Sequence, residues 1–419
     1  MRIGFGAALF LVSVAGWLAG GPGPCRGAEK PTFRLLMQKP EQYGRVEFKV
    51  DPGRSYDDPF DPQKVAVDLE ITAPNGKQFA VPAFYMQPYE YRRVRRGRRK
   101  EDWIYPAGGP VWKARFSPGQ PGRYSCTVLV RDRSGSKRSG EVIFHARATD
   151  DPGFIRVSEK SPRYLEFSDG SPYFPIGQNL AFIGCGQYVD LQRADEIFGK
   201  MGRNGANFAR IWTGCKDWAI GIEARKSAWG RSWAWEPSFA PMPGQQDSKL
   251  KCVKLSGDQG ESVACRPSHR VALKPETTYV LSGSLLTRKG AELQVEASGE
   301  RFSPPLDSGN QGSWKGFEIT FATGPEEYWL GSPGFILSRA GTVLLRDLSL
   351  REQGGGPELL WEANPNRAVM GNYNQLDCFM VDKVVRAAER YGIRLQLCLA
   401  TRDLYMGMLK DEDSEEYDR

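Results

Sequence analysis

The chain has 419 residues, 40% of them apolar and 26% charged, with a formal net charge of +7. These fractions are those of ordinary globular protein. At roughly 150 residues per unit the length exceeds one core and points to two or three. No apolar run after the N-terminus approaches the roughly 20 residues that span a bilayer.

Residues 1–28 begin Met1-Arg2, continue through apolar and small residues without a carboxylate, and end in a Gly/Pro-rich tail near Ala28. This is the pattern of a secretory signal peptide. It implies a secreted, periplasmic or cell-surface protein, with no membrane association after cleavage. An uncleaved anchor is the alternative, since no small-x-small site stands at the boundary. Cys25 follows Gly-Pro where a lipobox needs small residues after a leucine, which makes lipidation the minor option.

The remaining cysteines are Cys126, Cys185, Cys215, Cys252, Cys265, Cys378 and Cys398, without a C-x-x-C pair. That spacing assigns no metal site. Cys252 and Cys265 can bridge neighbouring strands in an oxidising compartment. Cys378 and Cys398 fall on an apolar helix and strand, where buried free thiols are expected.

From about residue 33 to 148 the hydrophobic period is two. Val46, Phe48 and Val50 alternate with polar residues, as do Val65, Val67, Leu69 and Ile71 before the turn Pro74-Asn75-Gly76. Trp112, Ala114 and Phe116 follow, then Tyr124, Cys126, Val128 and Val130, then Val142 and Phe144. Short alternating strands with Gly/Pro punctuation predict an antiparallel sandwich of immunoglobulin-like type over 29–151. Within it, residues 92–100 carry seven basic side chains, which equals the net charge, so the rest of the chain is balanced. The run reads either as a site for sulfated or acidic polysaccharide or nucleic acid, or as a solvated hairpin loop. The signal peptide and the absence of an interleaved aromatic argue against nucleic acid.

Tyr56-Asp57-Asp58-Pro59-Phe60-Asp61-Pro62, Val81-Pro82-Ala83-Phe84-Tyr85, residues 112–118 and Gly153-Phe154-Ile155-Arg156-Val157 occur in that order. Together they resemble the Ig-like domain of unknown function found N-terminal to secreted bacterial cellulase-like and apiosidase-like (β/α)8 glycoside hydrolases. The resemblance continues through Pro162-Arg163-Tyr164, Phe167 and Asp169-Gly170 to residues 173–179, which read as a short buried strand ending in a polar residue. It implies that a (β/α)8 TIM barrel begins there, with Asn179 at the strand end where such barrels place their chemistry.

After Asn179 the period becomes 3.6. Leu191, Ala194, Ile197, Phe198 and Met201 share a helical stripe that stops at Asn204-Gly205, and Asn207 to Trp212 reads as a second strand. The next helix comes only near Asn374, with Leu376, Met380, Val384, Ala387, Ala388 and Tyr391 on one face and Gly392 as its cap, before a third strand from Ile393 to Leu399. The intervening stretch is far longer than an ordinary βα loop and must hold a domain. Its centre, 249–352, is all period two. Tyr279-Val280-Leu281-Ser282-Gly283, Trp314-Lys315-Gly316-Phe317 and Leu345-Arg346-Asp347-Leu348-Ser349-Leu350 resemble jelly-roll carbohydrate-binding modules of bacterial polysaccharidases. The fold class expected is therefore multidomain: an Ig-like β-sandwich plus an incomplete (β/α)8 TIM barrel (152–248 and 353–419) interrupted by a β jelly roll.

Cellulase-like barrels hydrolyse glycosides with two carboxylates about 5 Å apart in retaining enzymes. The resemblance implies glutamates after strands four and seven, whereas this sequence reaches strand three. The chain is thus expected to be an N-terminal portion of a glycoside hydrolase, inactive by itself; the alternative is a non-catalytic carbohydrate-binding or adhesion protein. Trp233-Ala234-Trp235-Glu236-Pro237 mimics a catalytic motif, and Glu362 invites the same suspicion, but both follow strand two, the wrong place. No catalytic residue and no cofactor is assigned, and two histidines in separate sandwiches supply neither a triad nor a metal cluster. Candidate substrate-binding residues are Asn179 and Asp403 at strand ends, Arg210 on strand two, and Trp212 and Trp218, whose rings suit the apolar faces of sugars. Arg210 matches the arginine that such barrels place near the nucleophile, or else is an inward-facing charge needing a partner. The partner expected is a polysaccharide or glycoside.

Overall fold

The computed structural model describes residues 29–181, 183, 190–213, 220–222, 224–227, 230–233, 252–257, 263–265, 271–288, 290–303, 312–330, 335–337, 340–360 and 373–399, those between 224 and 265 by backbone alone. The proposed signal peptide lies outside the described residues.

The N-terminal alternation forms two antiparallel sheets. One has the order Thr32–Leu35, Val46–Asp51, Val111–Phe116, Phe84–Met86; the other runs Gly135–Arg138, Gly122–Asp132, Val65–Thr72, Gln78–Pro82, with Val142–Ala146 also paired to Gly122–Asp132. Phe48 lies opposite Ala114 in the first sheet and Leu69 opposite Val128 in the second. These inward residues meet in one core with Trp112, Phe116, Tyr124 and Phe144. Because the side-chain period of a strand is two, the same alternation places the charged residues between them on the outer faces.

A second sandwich is built from the 249–352 stretch. Cys252–Gly257, Gly341–Glu352, Thr278–Arg288 and Lys315–Ala322 make one four-stranded antiparallel sheet, and Val263–Cys265, Phe335–Leu337, Leu293–Ala297 and Glu300–Phe302 make the other. Eight strands in two layers is the make-up of a jelly roll. Tyr279, Leu281, Leu293, Val295, Phe317, Phe321, Leu345 and Leu348 fill its core. Cys252 and Cys265 sit on strands of opposite sheets, and their side chains lie outside the described residues.

The third unit is a small parallel one, whose strands flank the second sandwich in sequence. Gly177–Asn179, Phe208–Trp212 and Arg394–Cys398 form a parallel sheet, with helix α1 (Leu191–Arg203) and helix α2 (Gln375–Arg390) packed together on one side. Both helices start as their sequences imply. Asp190 accepts the Arg193 N–H at 2.6 Å and Asn374 accepts the Asp377 N–H at 3.0 Å, each the N-cap of its helix. The apolar stripe of each faces the sheet, with Phe198 and Val384 fully buried.

The (β/α)8 TIM barrel expected from the sequence is not what forms. The described residues are mostly strand, and only two helices and three parallel strands follow the β-α-β order. The physical reason is that two apolar stripes between strands satisfy any parallel sheet, which needs a helix per crossover, and they say nothing about closure. The opening strand also differs from its expectation. Pro175 lacks the N–H that a ladder requires, and residues 173–179 split into Pro172–Tyr173, paired antiparallel to Leu165–Phe167, and Gly177–Asn179. Asn207 stitches the gap: its Oδ1 accepts the Ile176 N–H at 2.8 Å and its Nδ2 donates to the Phe174 carbonyl at 2.9 Å. Phe174 and Ile176 are exposed, not buried.

The basic run proves to be a two-stranded hairpin, Tyr89–Arg96 and Arg99–Pro106, projecting from the first sandwich between Phe84–Met86 and Val111–Phe116. Its two faces have different neighbours. Val94, Trp103 and Tyr105 pack with Ala272, Tyr328, Trp329 and Leu359 of the second sandwich. On the opposite face Tyr91 and Ile104 join the core of the parallel unit. The hairpin therefore joins all three units, a role that a solvated loop would not have.

Candidate functional site

In a parallel sheet, residues in register point the same way. Ala209 and Ile211 are buried toward the helices, so Arg210 and Trp212 stand on the other face. Asn179 is in register with Arg210, Arg210 with Gln396, and Trp212 with Cys398. The far face of the sheet thus carries a polar row, Asn179–Arg210–Gln396, with Trp212 and Cys398 beside it toward the strand ends. Arg210 is half-buried, and its Nε donates to the Cys398 Sγ at 2.9 Å, while the Trp212 ring centroid lies 5.9 Å from its guanidinium carbon. This fixes the guanidinium plane and, among the described residues, leaves its other N–H groups as donors.

The backbone past this row is held by side chains of the sheet and helix. Thr213 donates its N–H to the Cys398 carbonyl at 2.9 Å, and Oγ1 donates to the same oxygen at 3.2 Å. The Asp377 carboxylate, fully buried in the first turn of α2, accepts the Gly221 N–H at 2.7 Å. The Asn374 N–H donates to the Ile222 carbonyl at 2.5 Å. Gly221 and Ile222 are thereby pinned to the start of α2 although the two are about 150 positions apart in sequence.

Chemically, the row offers two primary amides and a guanidinium, with an indole at one end. That set can donate to and accept from hydroxyls and can pair with a carboxylate. It contains no carboxylate of its own, so it offers no acid/base pair. Among the described residues, no group of three or more His, Cys, Asp or Glu side chains is placed to hold a metal ion.

The structure thus brings three of the sequence-derived candidates, Asn179, Arg210 and Trp212, onto one face. Trp218 and Asp403 lie outside the described residues, as do Glu236 and Glu362. Gln396 is not among the sequence candidates and Cys398 only as a buried thiol, although the alternation of the third strand puts both on the same face as Arg210. Cys378 and Cys398 are half-buried, whereas Cys126 is the buried thiol among the described cysteines.

A second polar surface lies on the outer face of the second sandwich. Ser282 is in register with Glu318 on one side and Ser349 on the other, and Ser284 with Gly316 and Arg346. The register shifts between Ser282 and Ser284, and Asp347 adopts a positive φ of 53° at this irregularity. A bulge of this kind re-aims neighbouring side chains, and Arg346 lies 4.1 Å from the Trp314 ring centroid. The sequence resemblance covered this segment without identifying the serines or Arg346.

No family model matches the chain, and no curated protein matches it. Among solved structures it is similar to a putative glycoside hydrolase from Bacteroides vulgatus ATCC 8482, at 11% identity and a TM-score of 0.37, over 86% of this chain and 41% of that one. The chain therefore spans about two fifths of the length of that relative. It is also similar to the CBM22-1–CBM22-2 tandem domain of Paenibacillus barcinonensis Xyn10C, at 12% identity and a TM-score of 0.21, over 79% of this chain and 93% of that one. A third is a family 16 carbohydrate-binding module, at 20% identity and a TM-score of 0.16, over 31% of this chain and 86% of that module. These are loose similarities, and the site is argued from the chain's own residues.

Proposed function

We propose that this chain is the glycan-recognising part of a secreted or cell-surface carbohydrate-active protein, binding a polysaccharide or glycoside without hydrolysing it by itself. The observation that carries the reading is the Asn179–Arg210–Gln396 row with Trp212 beside it. Amides and a guanidinium match the donor and acceptor pattern of sugar hydroxyls, and an indole offers a flat apolar surface to a pyranose ring. The groups of the row are hydrogen-bonding ones suited to recognition, whereas glycosidic cleavage uses a carboxylate pair. The sequence resemblance of residues 279–283, 314–317 and 345–350 to jelly-roll carbohydrate-binding modules agrees with it.

The test is calorimetry of the full chain against neutral plant and bacterial oligosaccharides, with Arg210→Ala and Asn179→Ala as variants. Loss of a charge-assisted hydrogen bond should weaken binding roughly ten- to a hundredfold for Arg210→Ala. Binding unchanged in both variants would remove the row from the reading. Release of reducing sugar by the wild-type chain, abolished by neither variant, would replace recognition with catalysis at another site.

A further inference from the structure

The exposed tip of the Tyr89–Pro106 hairpin carries a concentration of positive charge that the fold does not neutralise. Arg92 and Arg93, near its base, are engaged. The Arg92 guanidinium stacks 4.2 Å from the Trp103 ring centroid, and Arg93 approaches Asp102 at 3.8 Å and Asp190 at 3.6 Å. Arg96 reaches Glu101 at 3.6 Å and lies 5.9 Å from the Trp329 ring centroid. Beyond these, Arg95, Arg98, Arg99 and Lys100 are exposed, and among the described residues no carboxylate pairs with any of them.

The register makes this arrangement costly. Arg95 lies directly opposite Lys100, and Arg96 directly opposite Arg99, around the Gly97-Arg98 turn. Side chains so placed have Cβ atoms about 4.5–5.5 Å apart, and like charges in that position destabilise a hairpin. Two consecutive like-charge pairs, one on each face, surround a two-residue turn whose Gly97 has a φ of 58°. The stem that holds them is rigid, because Trp103, Tyr105 and Val94 are buried against the second sandwich and Tyr91 against the parallel unit. A polyanion laid across the tip would relieve the Arg95–Lys100 repulsion and pair with Arg98 and Arg99 without reordering the stem.

We propose that this tip is a binding site for an anionic polysaccharide, one bearing sulfate or carboxylate groups at successive sugars. Arginine forks pair bidentately with such groups. The choice over nucleic acid rests on the glycan-binding reading above and on the tip itself, which presents no ring on which a base could stack. The surface is separate from the Asn179–Arg210–Gln396 row, so each can fail without the other.

The experiment measures binding of the full chain to dextran sulfate, polygalacturonate, unsubstituted dextran and duplex DNA across a salt series. The wild type is compared with a variant carrying Arg95→Ser, Arg98→Ser, Arg99→Ser and Lys100→Ser. A control variant carries Lys77→Ser, Arg123→Ser, Arg133→Ser and Arg163→Ser, which removes the same charge from exposed positions elsewhere. The expected result is salt-sensitive binding to an anionic polysaccharide that drops roughly tenfold or more in the tip variant and is retained in the control. Circular dichroism and a melting curve establish that the tip variant folds; if it does not, Arg98→Gln and Arg99→Gln singly must each weaken binding. Equal loss in the control, equal binding to unsubstituted dextran, or tighter binding of DNA than of both polyanions would overturn the proposal. Calorimetry with neutral sugars on Arg210→Ala tests the other surface and is indifferent to this outcome.

Discussion

Trp103 donates its indole N–H to the Leu273 carbonyl at 2.8 Å, across 170 positions of sequence. The ring is fully buried and stacked on Tyr105, 5.3 Å between centroids at 10°. Leu273 belongs to the second sandwich and Trp103 to a hairpin of the first, so this bond anchors one unit on the other. Trp103→Ala removes the bond and leaves a large cavity, and should cost about 3–5 kcal/mol in the transition that contains the interface. Trp103→Phe keeps most of the volume but leaves the Leu273 carbonyl without its donor, for about 1–3 kcal/mol. Calorimetric melting of both variants gives the order, and the two costs being equal would mean that the hydrogen bond, not the packing, holds the interface.

Two carboxylates at this hairpin should respond to pH with opposite signs. Glu352 accepts from Tyr105 and from Lys274, each at 2.8 Å. Burial raises its pKa, but the hydrogen bonds from Lys274 and Tyr105 and the Lys274 charge outweigh it, holding the group below the ordinary glutamate range. Its stabilising contribution is therefore complete above the unfolded-state value and is lost as pH falls through the lower folded value. Glu352→Gln should flatten that acid-side loss in a stability-against-pH series.

Asp102 runs the other way. Burial is the largest cause of its raised pKa, and the nearby Asp190 charge adds to it, against hydrogen bonds from the Leu191 N–H and the Tyr91 hydroxyl and the charge of Arg93. Its contribution is complete below the ordinary aspartate range and is lost as pH rises through the folded value. Asp102→Asn, which keeps an acceptor for the first N–H of α1, should leave neutral-pH stability unchanged or higher, measured by urea unfolding. A clear loss at neutral pH that disappears in acid would reverse the sign assigned to this group.

What the sequence disclosed depended on how local the cause was. Val46, Phe48 and Val50, or Leu191, Ala194 and Phe198, fix their element and buried face by spacing alone, and the structure buries them as the spacing requires. The alignment of Asn179 with Arg210 was legible once both were placed on neighbouring parallel strands. Closure of the sheet was not, since two crossover helices look the same in any parallel arrangement. The hairpin was opaque for a different reason. Its residues alternate between two buried faces whose partners, Leu273, Glu352 and Phe379, lie far along the chain, so its charges dominated the local pattern.

Cys126 illustrates burial acting on chemistry. The thiol faces the first sandwich core, and burial, with a smaller effect from the Glu141 charge, pushes its pKa up to about 12. At about pH 8 almost none of it is thiolate, which is the reactive form. Iodoacetamide should leave Cys126 unlabelled in the native protein and label it in concentrated guanidinium, as read by peptide mass mapping. Native labelling at a rate matching the unfolded chain would mean that the sandwich opens readily around the Gly122–Asp132 strand.

Gly177 sits where the parallel sheet is tightest. A Cβ built there would lie 1.7 Å from the Phe208 carbonyl oxygen, a backbone atom that cannot rotate away. At Gly202 on α1 the corresponding atom would lie 2.6 Å from the Tyr391 carbonyl oxygen, whereas at Gly316 the nearest such atom is 4.0 Å away. Alanine at Gly177 must therefore push the opening strand off its neighbour, at the upper end of the about 1–3 kcal/mol typical of overpacking or beyond it. Gly202→Ala should cost less, because a better helix former returns about 1 kcal/mol, and Gly316→Ala should be close to neutral. Melting temperatures should rank the three in that order. Because Asn179 is two residues from Gly177 and in register with Arg210, the first substitution should also weaken the proposed sugar binding at the Asn179–Arg210–Gln396 row, while the other two leave it intact.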